Sequence, residues 1–275
     1  MSRGACAQVV LRAGQLLEPV YEQIKERVKS SAHLTPDETG WRLGGHPVWL
    51  HAWVGDNGAT CYVIDPQRSA DVLEKVIGLD WSGNMTHDGF SSYERFEDAA
   101  HQQCLDHALR RARSLVDKHT GAAKTFPQRV IDLLTEALRL RDRFADEAAA
   151  QDRRGLAYEN FTQRLRDLTD HPRDHEANER FAKHLHKHVA SWFLFLVDAS
   201  IPATNHRAEQ ALKTPIVNRK VWGGNRTVAG GQAQTIVSSV LETCKNKASD
   251  AFGYISDAFR GIFANLFTSN TPTVR

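Results

Sequence analysis

The chain has few cysteines and no long apolar run, and neither sign of charge prevails. Its four cysteines, Cys6, Cys61, Cys104 and Cys244, are scattered through 275 residues and form no Cys-x-x-Cys pair. That spacing argues against a disulfide scaffold and fits a reducing compartment. The most apolar stretch, Trp192 to Val197, is far too short to span a bilayer. Arg3, Gln8 and Arg12 interrupt the N-terminal region, so no signal-peptide pattern is visible there. The expected location is the cytoplasm, with no membrane partner. With 35 basic and 33 acidic residues the net charge is only +2, so any basic surface has to be local. No internal repeat or low-complexity tract occurs. What remains, 41% hydrophobic and 25% charged, describes a globular protein large enough for a substantial core.

Apolar residues at Val9, Ala13, Leu16, Leu17, Val20, Ile24 and Val28 recur at helical spacing and predict a first helix ending near Ser30 to Ala32. The pattern then changes to period two. Thr39 to Leu43 reads as a strand, and Gly44-Gly45 is a hairpin turn. Val48, Leu50, Ala52 and Val54 alternate with Trp49, His51 and Trp53 as a second strand. Asp56-Asn57-Gly58 turns the chain into a third strand, Thr60 to Ile64. Asp71 to Ile77 is helical, Asn84 to His87 is a strand ending at Asp88, Ser91 to Phe96 is a short helix, and Ala99 to Cys104 is a fifth strand. A helix between two strands suggests a crossover and a parallel pair.

From Lys118 to Lys187 the sequence is helical and charged, with breaks expected near Gly155 and Pro172. Its histidines, His171, His175, His184, His186 and His188, form no HExxH-type pair and are read as lying on solvated helix faces. A further helix carries Glu209, capped by Thr204 or Asn205 and kinked or ended at Pro215. Ile236, Val240, Leu241 and Cys244 form a buried stripe, and a last helix is expected from Ala251 to Phe263.

A meander, a crossover helix and a further strand follow the order of a ribonuclease H-like fold, in which the first and fourth strands are neighbours. The expected class is therefore α/β: a ribonuclease H-like mixed sheet with a helical insertion and C-terminal helices. The expected divisions are an N-terminal helix (1–32), a first part of the core (33–117), the insertion (118–190) and a second part with the Glu helix (191–275). Asp37 belongs to the first strand and Asp88 to the end of the fourth. Adjacent carboxylates repel, and a divalent cation relieves the repulsion. Glu209, on a later helix, is the candidate third ligand, although its spacing to Lys213 also fits a surface ion pair.

The segments PDETGWRLGG, HDGFSSYERF, HQQCLDHALR, NHRAEQALK and NRKVWGGNRT, in this order, resemble the insertion sequence 66 family of DDE transposases. The resemblance implies a DNA transposase core that cuts phosphodiesters at transposon ends and transfers the strand to target DNA. Asp37, Asp88 and Glu209 match the family's catalytic triad, which implies two Mg²⁺ (or Mn²⁺) ions. DNA is the implied partner, with a homo-oligomer on DNA, other proteins of the same element, and a bacterial, nucleoid-associated setting.

Cys104 and His107 match the family's Cys-x-x-His signature. Metal binding with His101 is one option, and a structural or positioning role is favoured because no second ligand pair completes a zinc site. His206 is a candidate positioning residue. Trp41 is either core or a base-stacking residue. Arg219, Lys220 and Arg226, with the backbones of Gly223 and Gly224, are candidate DNA-backbone contacts.

Relatives in that family carry an N-terminal DNA-binding region before the first helix. No counterpart is visible here, which points to a truncated copy, a fragment or an alternative start. Gln210 stands where many relatives have Arg. Two alternatives follow: a remnant that binds DNA or a full-length partner without cutting, and a structure-selective nuclease.

Overall fold

The computed structural model describes residues 2–145, 151–263 and 265–267. Ten α-helices and five strands occur among the described residues. The chain forms two compact units. The first comprises residues 1–32, 37–78 and 208–275, and the second residues 33–36 and 79–207. The five strands are ordered β3-β2-β1-β4-β5 in one mixed sheet.

In the first unit, α1 (Arg3–Lys29) precedes β1 (His33–Leu43), β2 (His46–Gly55), β3 (Thr60–Asp65) and α2 (Ala70–Ile77). β2 and β3 are antiparallel, with Trp49 opposite Asp65 and Val54 opposite Thr60. The expected turn residues are in place: both Gly44 and Gly45 have positive φ, at 59° and 86°. Helices α8 (His206–Trp222), α9 (Val228–Asn246) and α10 (Ala251–Phe259) follow much later in the chain.

Alternation on β2 decides what α8 packs against. Val48, Leu50, Ala52 and Val54 share one face and form a core with Trp41, Tyr62, Ala208, Ala211 and Leu212. Trp41 is thus a core residue, only 2% exposed. α9 covers the outer side of β3 with hydroxyls. Ser239 Oγ accepts from Tyr62 N at 2.9 Å, and Thr243 Oγ1 from Thr60 N at 3.1 Å. Thr243 also donates to the Thr60 carbonyl, and Tyr21 Oη to the Tyr62 carbonyl.

Four expectations need correction here. β1 starts at His33 rather than Thr39, and so includes Pro36 and Asp37. α8 runs through Pro215 to Trp222 instead of ending there. A proline removes the N–H that would reach the carbonyl four residues earlier. Here that carbonyl, on Ala211, accepts from the Tyr62 hydroxyl. In the predicted stripe of α9, Ile236, Val240 and Cys244 are buried but Leu241 is exposed, and α10 ends at Phe259 rather than Phe263.

The second unit holds β4 (Asn84–His87), β5 (Ala100–Gln103), α3 (Leu105–Lys118), α4 (Thr125–Ala145), α5 (Gln151–Thr169), α6 (Glu176–Lys187) and α7 (Leu194–Val197). The first residues of β1 belong here and run parallel to β4, with His33 opposite Asn84 and Leu34 opposite Met85. β4 is in turn parallel to β5. One apolar core joins all five helices, with Leu105, Ala112, Val130, Leu134, Leu165, Phe181, Trp192, Phe193 and Phe195 fully or almost fully buried.

Gly155 does not break the helix as expected but lies inside α5. A mid-helix glycine costs only about 1 kcal/mol relative to alanine, and the buried Phe161 and Leu165 of the same helix anchor it in the core. Pro172 does fall between helices α5 and α6. Among the described residues, no helix is long and apolar enough to cross a membrane.

Candidate functional site

The three acids of the expected triad occupy three different kinds of position, each half-buried. Asp37 is in the middle of β1, where its Oδ1 accepts from the Glu38 amide at 2.9 Å. Glu38 itself is clamped by Arg68, whose Nε and Nη2 both donate to its Oε1, and Arg68 stacks over Trp49. Asp88 directly follows β4, and its Oδ1 accepts from Phe90 N at 3.0 Å, closing a tight turn. Glu209 is in the first turn of α8. Among the described residues, no group of three or more His, Cys, Asp or Glu side chains is arranged to hold a metal ion.

Next to Asp88 in the chain begins a run of hydrogen-bonded imidazoles. His87 Nδ1 accepts from Gly89 N at 3.1 Å, which leaves the proton on Nε2 for donation to His101 Nδ1 at 3.0 Å. His101 Nε2 then donates to the Phe96 carbonyl at 2.9 Å. Burial, and secondarily His101 and His188, push the His87 pKa down to about 3.

His184 and His188 do not lie on a solvated face, as the sequence suggested; both are partly buried. His184 packs against Trp192 and against Gly89, where an added Cβ would meet its Cε1 at 3.1 Å. Burial brings its pKa down to about 4, with His188 adding to the effect. Lys187 bonds both oxygens of Glu94, at 2.7 and 2.9 Å. This contact joins the end of α6 to the short helix after β4. His171, His175 and His186 are exposed.

The Cys104–His107 pair is engaged within the protein. Cys104 Sγ donates to Asn205 Oδ1 at 3.1 Å and accepts from Asn205 N at 3.3 Å. Burial raises the thiol to about 11, so it is held as a thiol rather than a metal-ready thiolate. His107 Nε2 accepts from Arg110 at 3.0 Å. His101 is committed to His87 and Phe96. Cys104 therefore anchors the residue just before α8, while His206 and Arg207, the first two residues of α8, are exposed.

The Gly-containing segment after α8 has a structural cause that sequence reasoning missed. Its centre is Asn225. The Asn225 amide donates to the Arg42 carbonyl and its carbonyl accepts from Gly44 N, forming a short parallel bridge to β1. Its side chain accepts from Trp41 Nε1 at 2.7 Å and donates to the Gly230 carbonyl. Gly224, at φ 114°, approaches β1 so closely that a Cβ would sit 2.4 Å from the Arg42 carbonyl oxygen. Arg219 points back to β1, donating to Thr39 Oγ1 and to the Gly40 carbonyl. Lys220, Gly223 and Arg226 are exposed. The only sequence signal for Asn225 was its place after two glycines.

A family model described as Transposase IS66 family matches residues 1–233. The chain belongs to that family. Two curated proteins of Sinorhizobium fredii are similar to it along almost its whole length. The uncharacterized protein y4jD is 23% identical, with 98% of this chain and 58% of that protein covered. The uncharacterized protein y4qI is 24% identical, with 95% of this chain and 53% of that protein covered. The IS66-family chain thus spans little more than half the length of these relatives. No solved structure matches it.

Proposed function

We propose that this chain is the catalytic region of a DNA transposase, cutting phosphodiesters at transposon ends and joining the freed strand to target DNA, with Asp37, Asp88 and Glu209 as its acidic triad. One observation carries this reading: Asn84 lies 51 residues after His33, its partner in the parallel ladder, and Asp88 lies 51 residues after Asp37. The reading takes this shared offset to set the two aspartates side by side. Family membership and the strand order β3-β2-β1-β4-β5, which is that of a ribonuclease H-like core, support the same reading.

The donor set suits a hard divalent cation, because it offers carboxylate oxygens that are half-exposed. A pair of Mg²⁺ or Mn²⁺ ions held by Asp37, Asp88 and Glu209 would supply Lewis acidity for an in-line displacement at phosphorus. The residues themselves bind and orient. The Glu38 and Phe90 amides hold Oδ1 of Asp37 and of Asp88 in fixed directions. Glu209 is presented from the first turn of α8. Lys220 and Arg226 meet DNA phosphates, and assembly on DNA brings further copies or other proteins of the element.

The test is cleavage of DNA bearing the element's ends by the purified chain in Mg²⁺ or Mn²⁺. Asp37→Asn, Asp88→Asn and Glu209→Gln are each expected to lose cleavage while keeping the wild-type unfolding transition. Metal-dependent cleavage retained by Asp37→Asn would remove the triad. DNA binding without cleavage by the wild type would instead support a non-catalytic remnant.

A further inference from the structure

The end of α8 and the start of α9 expose large apolar side chains in a stretch that also carries basic ones. Trp222 is 52% exposed, Val221 75%, Val217 57% and Val228 67%. Large apolar side chains left exposed in one stretch of chain suit a surface that another molecule covers. Its charge selects the partner. From Gln210 to Leu241 the chain has no Asp or Glu, and it has Lys213, Arg219, Lys220 and Arg226. Of these, Lys213, Lys220 and Arg226 are exposed, while Arg219 is tied to β1.

The segment is also pinned on both sides of Trp222. Arg219 is bonded to Thr39 and Gly40, Gly223 N caps the Arg219 carbonyl at 2.9 Å, and Asn225 is bridged to Arg42 and Gly44. An exposed indole on a fixed backbone needs little ordering before it binds. Lys220 and Arg226 flank Trp222 in the sequence, and cations together with an exposed aromatic ring are the elements of a surface for unpaired nucleic acid bases, in which phosphates meet the cations and a base stacks on the ring.

We infer that Trp222 is a stacking platform for an unpaired DNA base, with Lys220 and Arg226 holding the flanking phosphates. The inference rests on the transposase reading, because DNA with unpaired bases is what a cut end presents.

The experiment measures binding of the full chain to a blunt fluorescein-labelled duplex and to the same duplex with a short 3′ single-stranded overhang. The wild type is expected to prefer the overhang. Trp222→Ala should lose roughly 5- to 150-fold in affinity for the overhang and little for the blunt duplex, as for removal of one stacked base. Trp222→Phe should retain most of the preference. Lys220→Ala should weaken both complexes alike and lower the salt slope by about 1. Four of the other five tryptophans are buried and Trp49 is half-buried under Arg68, so quenching by the overhang should vanish in Trp222→Ala.

Equal binding of both DNAs by wild type and Trp222→Ala would overturn the platform and leave the transposase reading intact. A Trp222→Ala protein that changes oligomeric state with unchanged DNA affinity would overturn it in favour of a chain–chain contact. Wild-type protein that binds neither DNA would overturn both.

Discussion

The Tyr62 hydroxyl donates to the Ala211 carbonyl at 2.7 Å, taking the place of the amide that Pro215 lacks. Burial raises the Tyr62 pKa, so this donor stays protonated. Tyr62→Phe removes it and strands a buried acceptor, which should cost about 1–3 kcal/mol of stability. In a Pro215→Ala background the restored amide serves Ala211, and the same Tyr62 change should cost at least about 1 kcal/mol less. Urea unfolding of the four proteins in the cycle gives the coupling; additive effects would exclude the substitution of one donor for the other.

Gly224 and Gly223 should respond differently to alanine. Both have positive φ, at 114° and 81°, but only at Gly224 would the Cβ meet backbone, 2.4 Å from Arg42 O; nothing lies within 4 Å of one at Gly223. Gly223→Ala should cost about 1–2 kcal/mol, the strain of a left-handed alanine. Gly224→Ala should exceed that and break the Asn225 bridge to β1. Chemical denaturation ranks them, and equal costs would show that the contact with Arg42 relaxes freely.

Thiol titration should find one reactive cysteine in the native protein. Cys6 is exposed, whereas Cys61, Cys104 and Cys244 are buried, with pKa values raised by burial to about 12, 11 and 11. A thiol-reactive dye near pH 8 should label Cys6 quickly and the remainder only after unfolding. Fast labelling of Cys104 would contradict its bond to Asn205.

Acid should destabilise the protein through His51. Its Nε2–H donates to the Gln67 carbonyl, and burial lowers its pKa below the usual histidine value of 6.5. The unfolded chain therefore takes up a proton near pH 6.5 that the folded chain refuses. The stability this gives is complete above pH 6.5 and is lost as pH falls below it. His51→Gln should flatten that part of the stability profile. An imidazole resonance for His51 titrating at or above 6.5 would reverse the sign.

The mixed sheet was legible because local chemistry marked it. Gly44-Gly45 and Asp56-Asn57-Gly58 fall between alternating strands, and a helix then interrupts before Asn84. β1 was read too short because Pro36 and Asp37 break the apolar alternation, although the ladder at His33 and Leu34 holds that end of the strand. Pro215 and Gly155 misled for a related reason. Each is a local helix penalty, offset by a long-range bond from Tyr62 in one case and by core packing in the other. Asn225 was invisible because its partner Trp41 is 184 residues away. The proposed triad was singled out through motif order, since no property of a lone carboxylate separates a ligand from a surface charge.

The hydroxyls that α9 sets along β3 have a consequence for assembly. Thr60 and Tyr62 direct their amides and carbonyls outward, and all four groups are bonded by Ser239, Thr243 or Tyr21. A strand with its outward groups so occupied offers no template to another chain. The sheet is closed at Thr60 and Tyr62 to strand addition and to edge-to-edge aggregation, so that any contact made there runs through side chains rather than by lengthening the sheet.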